Sequence, residues 1–192
     1  MAISLGLTGS IGTGKTATSL LFEDHGATIW SADAAVHRLY APGGKAVAGV
    51  AGLVPEALVE GAINRAFLAR ALRADQGLLP KLEAIVHPLV AEDRELALHH
   101  ADTWLVVLEV PLLFEKGIDA EVDKTACTWV DPVEQRNRVL RRPGMTEEQL
   151  TFILKHHWPA DQKQAAADFT IETTSPDTAR RDVARIVKEL KP

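Results

Sequence analysis

The pattern of hydrophobic and polar residues predicts short buried strands that alternate with amphipathic helices. Apolar segments of strand length occupy residues 3–7, 27–30, 104–110, 125–130 and 168–171. A first helix is expected over Ala17–Glu23, with Leu20, Leu21 and Phe22 available to the core, and a last one from Ser175-Pro176 to about Leu190. Strand, helix and strand in this order indicate a parallel pair with a right-handed crossover, which favours an α/β fold.

Residues 41–103 do not continue this alternation. Asn64 is predicted to cap a helix over residues 65–74. A second helix is expected from about Leu79 to His99, with a break at His87-Pro88. Without a strong strand pattern, the segment looks like a helical insertion that could form one wall of a second-substrate site. The alternative is a crossover with extra helices.

Two strongly capped helices are expected after the strand at 125–130. Asp131, Pro132 and Glu134 are typical of a helix start, and Thr146 opens a second helix that reaches the histidines at 156–157. Basic residues are concentrated between Arg136 and Lys163, and they include Arg138, Arg141, Arg142 and Lys155. Such a hairpin suits a lid that closes over ATP and contacts the transferring phosphoryl group. A solvated basic face is the alternative.

A glycine-rich segment directly follows the first predicted strand. Residues 9–16 fit G-x-x-x-x-G-K-[ST], the pattern of a phosphate-binding loop. The glycines let consecutive backbone N–H groups point at a phosphate, and the following helix adds the positive end of its dipole. Lys15 can reach the β- and γ-phosphates of a nucleotide, and the Thr16 hydroxyl can ligate Mg²⁺. The alternative, an ordinary glycine-rich turn, is disfavoured by the strand before and the helix after.

Two carboxylates lie near the carboxyl ends of predicted strands, where ligands bind in open parallel sheets. Asp33 is expected at the same edge of the sheet as the phosphate loop, and by position alone it could equally cap a helix over residues 34–40. Glu109 could sit close to Mg²⁺ or its waters. A structural role for Glu109, bonded to backbone, is the interpretation we favour.

Composition restricts the class of protein and its partners. The chain has 192 residues, 46% of them hydrophobic and 24% charged, which suits one core with a modest insertion. A net charge of −5 disfavours a general nucleic-acid binder. No apolar run has membrane-spanning length and no secretion signal is recognisable, so we expect a cytoplasmic protein without a membrane partner. The single cysteine, Cys127, is expected to be a buried, unreactive thiol.

Several classes of protein share the phosphate-binding loop. A GTPase would need an N-K-x-D motif, which the sequence lacks, and the chain is short for a motor ATPase. A small kinase needs the loop, an acceptor wall, a carboxylate and a basic lid, and all four are predicted here. A kinase for a nucleoside monophosphate or a small alcohol, and a nucleotide-dependent binding module without transfer, stay open as alternatives.

Further motifs follow the loop in a fixed order. Residues 7–16 are L-T-G-S-I-G-T-G-K-T. The others are S-A-D at 31–33, H-P at 87–88, V-P-L-L-F-E at 110–115, R-P-G-M-T at 142–146 and A-D at 167–168. Over nearly its whole length the chain thereby resembles the dephospho-CoA kinase family. The loop is common to many families, whereas the later segments at these separations are much more specific.

The resemblance implies a three-layer αβα P-loop kinase fold with a five-stranded parallel sheet. It implies a single domain over residues 1–192, with an acceptor-binding insertion at about 34–103 and a lid at about 136–163. The core would then comprise residues 1–33, 104–135 and 164–192. The implied reaction is transfer of the ATP γ-phosphoryl group to the ribose 3′-hydroxyl of dephospho-CoA, the last step of CoA biosynthesis, with Mg²⁺ as cofactor.

The resemblance also implies roles for individual residues. Asp33 would orient and deprotonate the acceptor hydroxyl, while Lys15 and Arg142 would stabilise charge on the transferring group. Thr16 would hold the metal, and His87 and Leu112 would contact the acceptor. The ATP-binding set would be Ser10, Ile11, Gly12, Thr13, Gly14, Lys15, Thr16, Arg138 and Arg142. The expected partners are ATP and dephospho-CoA, for a monomer or weak homo-oligomer.

Three positions depart from the family pattern. Ser31 stands where the family has the first Asp of D-A-D. A carboxylate at this position is therefore not expected to be essential. His157 stands where a Gln is frequent, and Thr173 or Thr174 where an Asn is usual. These departures bear on rate and nucleotide selectivity more than on the type of reaction.

Overall fold

The structure, a computed structural model, describes residues 2–191. The chain divides into two compact units. The first contains the chain up to Trp30 and from Ala101 onwards, and the second contains Ser31–His100. Each unit has its own hydrophobic core.

Residues 2–191 form seven strands and nine α-helices. The strands are β1 (Ile3–Gly9), β2 (Thr28–Ser31), β3 (Leu58–Val59), β4 (Ala62–Ile63), β5 (Leu105–Glu109), β6 (Lys124–Trp129) and β7 (Phe169–Glu172). The α-helices are α1 (Lys15–Glu23), α2 (Ala32–Tyr40), α3 (Val47–Leu53), α4 (Arg65–Ala74), α5 (Leu78–His99), α6 (Pro132–Leu140), α7 (Glu147–Lys155), α8 (Ala160–Ala166) and α9 (Pro176–Leu190).

The first unit is built on a five-stranded sheet in the order β2-β5-β1-β6-β7. β1 pairs in parallel with β5 on one side and with β6 on the other. Helices flank this sheet, with α1 against β5, α8 against β6 and α9 against β7. The predicted α/β fold with a five-stranded parallel sheet is therefore confirmed. Because β1 is the central strand, the segment after it emerges from the middle of the carboxyl edge.

Side chains from α1 and α9 cover one face of the sheet. The predicted apolar stripe of α9 is confirmed, since Val183 and Ile186 are fully buried. In α1 the buried side chains include Thr18 and Phe22, while Leu20 is 54% exposed. The expectation that Leu20 contributes to the core is therefore wrong, because residues 18 and 22 lie one helical turn apart and residue 20 points away from them.

The segment predicted as a lid contains three helices. Asp131 caps α6 by accepting from the N–H groups of Val133 and Glu134, and Thr146 caps α7 through a reciprocal bond with Gln149, as predicted. The third helix, α8, was not expected from the sequence, and α7 ends before His156 and His157. Lys163 in α8 is fully buried, so the alternative of a solvated basic face does not hold for this residue.

The second unit packs α2 to α5 around a separate core. α4 begins after Asn64, whose side chain accepts from the N–H groups of Ala66 and Phe67, as predicted. α3 and the short hairpin of β3 and β4 were not predicted. α5 continues through Pro88, so the predicted break at His87-Pro88 is wrong. Proline removes one helical hydrogen bond, and tertiary packing of the apolar face keeps the helix continuous.

Candidate active site

The phosphate-binding loop connects β1 to α1. Gly12 and Gly14 have φ angles of 80° and 83°, in the left-handed region that glycine tolerates best. The Lys15 ammonium donates to the carbonyl oxygens of Gly9 at 2.7 Å and Ser10 at 3.3 Å, so the side chain folds back over the loop. This conformation places a cation and the N-terminus of a helix at one concave surface suited to phosphate.

Side chains from neighbouring elements hold this loop in shape. The Thr13 hydroxyl lies 2.8 Å from the Ser10 carbonyl oxygen and 2.8 Å from the Thr128 hydroxyl on β6. Gln135 on α6 donates its side-chain amide to the Ile11 carbonyl oxygen at 2.8 Å. These bonds fix the loop before a ligand arrives, which reduces the ordering cost of binding. The support from Gln135 was not foreseen, because 124 residues separate the two partners.

Thr16 and Glu109 form an oxygen pair beside the loop. The Thr16 hydroxyl donates to Glu109 Oε1 at 2.8 Å, and the Ser19 hydroxyl lies 3.4 Å from Oε2. Glu109 is 7% exposed, at the carboxyl end of β5. Both carboxylate oxygens accept from side-chain hydroxyls, which differs from the backbone-bonded structural role favoured from sequence.

Hydroxyl and carboxylate oxygens are the ligands that Mg²⁺ prefers, and with few protein ligands it relies on substrate phosphates for the remainder. Thr16 and Glu109 therefore fit a magnesium ion held jointly with a nucleotide. Residues 2–191 contain no group of three or more His, Cys, Asp or Glu side chains that could hold a metal ion by themselves.

A cavity of about 370 Å³ adjoins the loop and the first turns of α1. Its lining includes Gly14, Ala17, Thr18, Leu21, Arg138 and Thr173. The Arg138 guanidinium donates to Glu134 Oε1 and to the Thr173 carbonyl oxygen, both at 2.8 Å. The volume and the mainly apolar wall suit a planar base, and two arginines, Arg138 and Arg180, also line the cavity.

The arginines of the α6–α7 region differ in their contacts. Arg136 pairs with Glu147, and Arg138 pairs with Glu134 within α6. Arg142 lies in the turn after α6 and is exposed. The basic residues of the predicted lid are therefore partly neutralised by carboxylates of the same segment, and Arg138 lines the cavity.

The predicted acceptor-side residues Asp33 and His87 belong to the second unit. Asp33 is exposed in the first turn of α2. Ser31 caps this helix by accepting from Ala34 N–H at 3.5 Å, so the alternative role of Asp33 as N-cap is wrong. His87 lies within α5 with a half-exposed side chain, 3.8 Å from Glu83.

Two of the departures from the family pattern have defined surroundings. The Thr173 hydroxyl donates to the Thr13 carbonyl oxygen at 2.9 Å, so Thr173 supports the loop and lines the cavity. Burial lowers the pKa of His157, and the nearby Lys163 ammonium lowers it further. His157 is therefore neutral near pH 7.

Burial raises the pKa of Cys127 to about 11, which confirms the predicted inert thiol.

A phosphate-binding loop at the central strand of a five-stranded parallel sheet, with a base-sized cavity beside it, defines a P-loop kinase. The profile of a family described as dephospho-CoA kinase matches residues 3–177. A dephospho-CoA kinase of Jannaschia sp. (strain CCS1) is 48% identical over 191 residues, which covers 99% of this chain and 98% of the relative. The chain belongs to the dephospho-CoA kinase family.

Solved structures show the same fold. A Thermus thermophilus protein superposes with a TM-score of 0.88 at 30% identity, covering 100% of this chain and 99% of that one. A dephospho-CoA kinase from Campylobacter jejuni superposes with a TM-score of 0.72 at 20% identity, covering 99% and 98%. No helix within residues 2–191 is both long and apolar enough to cross a membrane.

Proposed function

We propose that this chain transfers the γ-phosphoryl group of ATP to the ribose 3′-hydroxyl of dephospho-CoA, giving CoA and ADP. The observation that carries the proposal is the preformed phosphate loop, with Lys15 folded over it, in a member of the dephospho-CoA kinase family. In the reaction the acceptor oxygen bonds to the γ-phosphorus as the bond to the β,γ-bridging oxygen breaks. The hydroxyl proton leaves to a base on the acceptor side.

The loop side binds the donor. The N–H groups of residues 10–16 and the Lys15 ammonium bind the β- and γ-phosphates, and the base occupies the cavity beside Arg138. Thr16 and Glu109 would hold Mg²⁺, which neutralises charge on the phosphate oxygens when bound. The exposed Arg142 adds positive charge as the lid segment closes over the nucleotide.

Three residues act on the acceptor in this proposal. Asp33 orients the 3′-hydroxyl and takes its proton, and it is exposed in the first turn of α2. His87 and Leu112 contact the acceptor in the same proposal. We further propose that the enzyme works in the cytoplasm as a monomer or weak homo-oligomer, which gel filtration at micromolar concentration tests directly.

The role of Asp33 is tested by Asp33→Asn. We expect this variant to bind ATP normally and to lose about 10²–10⁴-fold in transfer rate, because a positioned base contributes that much. Asp102→Asn is the control, since Asp102 is also exposed and has no proposed role. Initial rates of ADP formation with dephospho-CoA measure the effect. Near-normal turnover of Asp33→Asn would contradict the assignment.

The role of the loop is tested separately by Lys15→Ala. This variant should weaken ATP binding and also slow transfer, because the ammonium contacts the phosphates in the ground state and in the transition state. Titration calorimetry with ATP and the same rate assay distinguish the two effects. An unchanged rate would remove Lys15 from the mechanism.

A further inference from the structure

A buried charge pair lies in the first unit, outside the phosphate loop. The Lys163 ammonium is 2.8 Å from Glu115 Oε1 and donates to the Pro111 carbonyl oxygen at 2.9 Å. The Lys163 side chain is 0% exposed and that of Glu115 is 11% exposed. A charge in the interior is costly unless it is paired and hydrogen-bonded. The burial of the Lys163 ammonium therefore depends on its contacts with Glu115 and Pro111.

The Pro111 carbonyl connects this pair to the phosphate loop. The same oxygen accepts from the Thr8 hydroxyl at 3.1 Å. Thr8 lies in β1 directly before Gly9, the first residue of the loop. The Pro111 carbonyl oxygen therefore links the end of the central strand, the turn after β5 and helix α8 through hydrogen bonds.

Glu115 connects the pair to the end of the lid segment. Its Oε1 also accepts from the Trp158 backbone N–H at 2.8 Å. The Trp158 ring stacks on Phe114, with ring centroids 5.9 Å apart and an interplanar angle of 18°. Burial alone would raise the pKa of Glu115, but hydrogen bonds from Lys163 and Trp158 lower it, so the carboxylate is ionised.

The cluster is not fully hydrogen-bonded. Among residues 2–191, Glu115 Oε2 and His157 Nδ1 are buried side-chain atoms without a hydrogen-bond partner. Buried polar groups in native proteins are nearly always satisfied, and exceptions often mark functional sites. A pair that served only the core would be expected to satisfy Glu115 Oε2 as well.

We propose that Lys163 and Glu115 are positioning residues for phosphoryl transfer, which fix the turn carrying Leu112 against the phosphate-loop strand and anchor the end of the lid segment. This inference rests on the proposed function of the site. The pair does not touch the reacting atoms. It acts by holding the Pro111 carbonyl and the Trp158 backbone in place, and a displacement of about 1 Å at a reacting centre can lower a rate by about 10²-fold.

Three variants separate positioning from stability. Lys163→Met keeps the length of the side chain and removes the ammonium, leaving Glu115 buried and unpaired. Lys163→Met/Glu115→Met removes both charges, a change that often leaves stability equal or higher. Glu115→Gln keeps an acceptor for Trp158 N–H and for Lys163. Lys124→Met is the control, because Lys124 pairs with Asp168 at 3.2 Å through exposed side chains and has no proposed role in transfer.

The readouts are the unfolding temperature, kcat, and KM for ATP and for dephospho-CoA. The concentration of active sites in each variant is determined by titration with ATP. We expect the double variant to unfold near the wild-type temperature, while its kcat stays about 10–10²-fold lower and its KM for ATP changes less than about threefold. Glu115→Gln should give a smaller kcat loss, and Lys124→Met should keep the wild-type kcat.

A stable double variant with wild-type kcat would overturn the inference and leave the pair a purely structural role. If Lys163→Met does not fold, the double variant and Glu115→Gln still decide the question. A wild-type enzyme without transfer to dephospho-CoA would refute the proposed function itself. An active wild type with unaffected variants would refute only the positioning role.

Discussion

An added methyl group at Gly12 in the phosphate loop would meet the helix that supports the loop. Its φ angle is 80°. A Cβ atom at this position would lie 2.5 Å from Val139 Cγ2 and 3.3 Å from the Gln135 carbonyl oxygen, both on α6. Gly12→Ala therefore combines backbone strain with a steric clash, and it pushes the loop away from the helix that supports it.

The structure allows the two contributions to be estimated. A non-glycine residue in the left-handed region costs about 1–2 kcal/mol. Insertion of a methyl group into a tightly packed contact costs about 1–3 kcal/mol more. Gly117 isolates the first contribution, because its φ angle is 69° and no atom lies within 4 Å of a Cβ built there. Each kcal/mol lowers the unfolding temperature of a chain of this size by about 2–4 °C.

Differential scanning calorimetry and ATP titration measure the outcome. We expect Gly12→Ala to lower the unfolding temperature more than Gly117→Ala and to weaken ATP binding, which Gly117→Ala should leave unchanged. In Gly12→Ala/Val139→Ala the methyl group has space, so the double variant should lose less stability than the sum of the two single variants. Equal destabilisation by the two glycine variants, or strict additivity with Val139→Ala, would refute the proposed clash.

Two further predictions concern titrating groups. Burial alone would raise the pKa of Asp168, but hydrogen bonds from the Thr125 N–H and hydroxyl, both at 2.8 Å, and from Lys124 lower it overall. Because the folded pKa is depressed, the stabilisation is present above the unfolded pKa and is lost as the pH falls through the folded value. Asp168→Asn should thus be less stable than the wild type in urea unfolding at pH 7, and the difference should shrink as the pH falls below about 4, the ordinary pKa of an Asp carboxyl; a pH-independent difference would contradict this. With its pKa at about 11, Cys127 should react with a thiol reagent at pH 8 about 10²-fold more slowly in the native protein than in denaturant, and rapid native labelling would contradict its burial.

Elements with local signals could be predicted from the sequence. Asn64 satisfies the first N–H groups of α4 with its own side chain, so a single residue marks where that helix begins. Asp131 and Pro132 mark the start of α6 in the same way. The phosphate loop was recognisable for a similar reason, because its conformation depends on glycines within eight consecutive residues, 9–16.

Features that depend on distant residues could not be predicted. The contact between Thr16 and Glu109 joins residues 93 positions apart, and that between Lys163 and Pro111 joins residues 52 apart. A lysine in a basic segment gives no local indication that it will be buried. Pro88 is another case, since the packing of α5 outweighs the usual effect of proline on a helix.

The most direct test of the account is ADP release from Mg-ATP by the purified protein, with and without dephospho-CoA, followed by mass analysis of the product. The account predicts a strong acceptor-dependent rate and one added phosphate on dephospho-CoA, located on the ribose 3′-oxygen. ATP binding without stimulation by dephospho-CoA would contradict it.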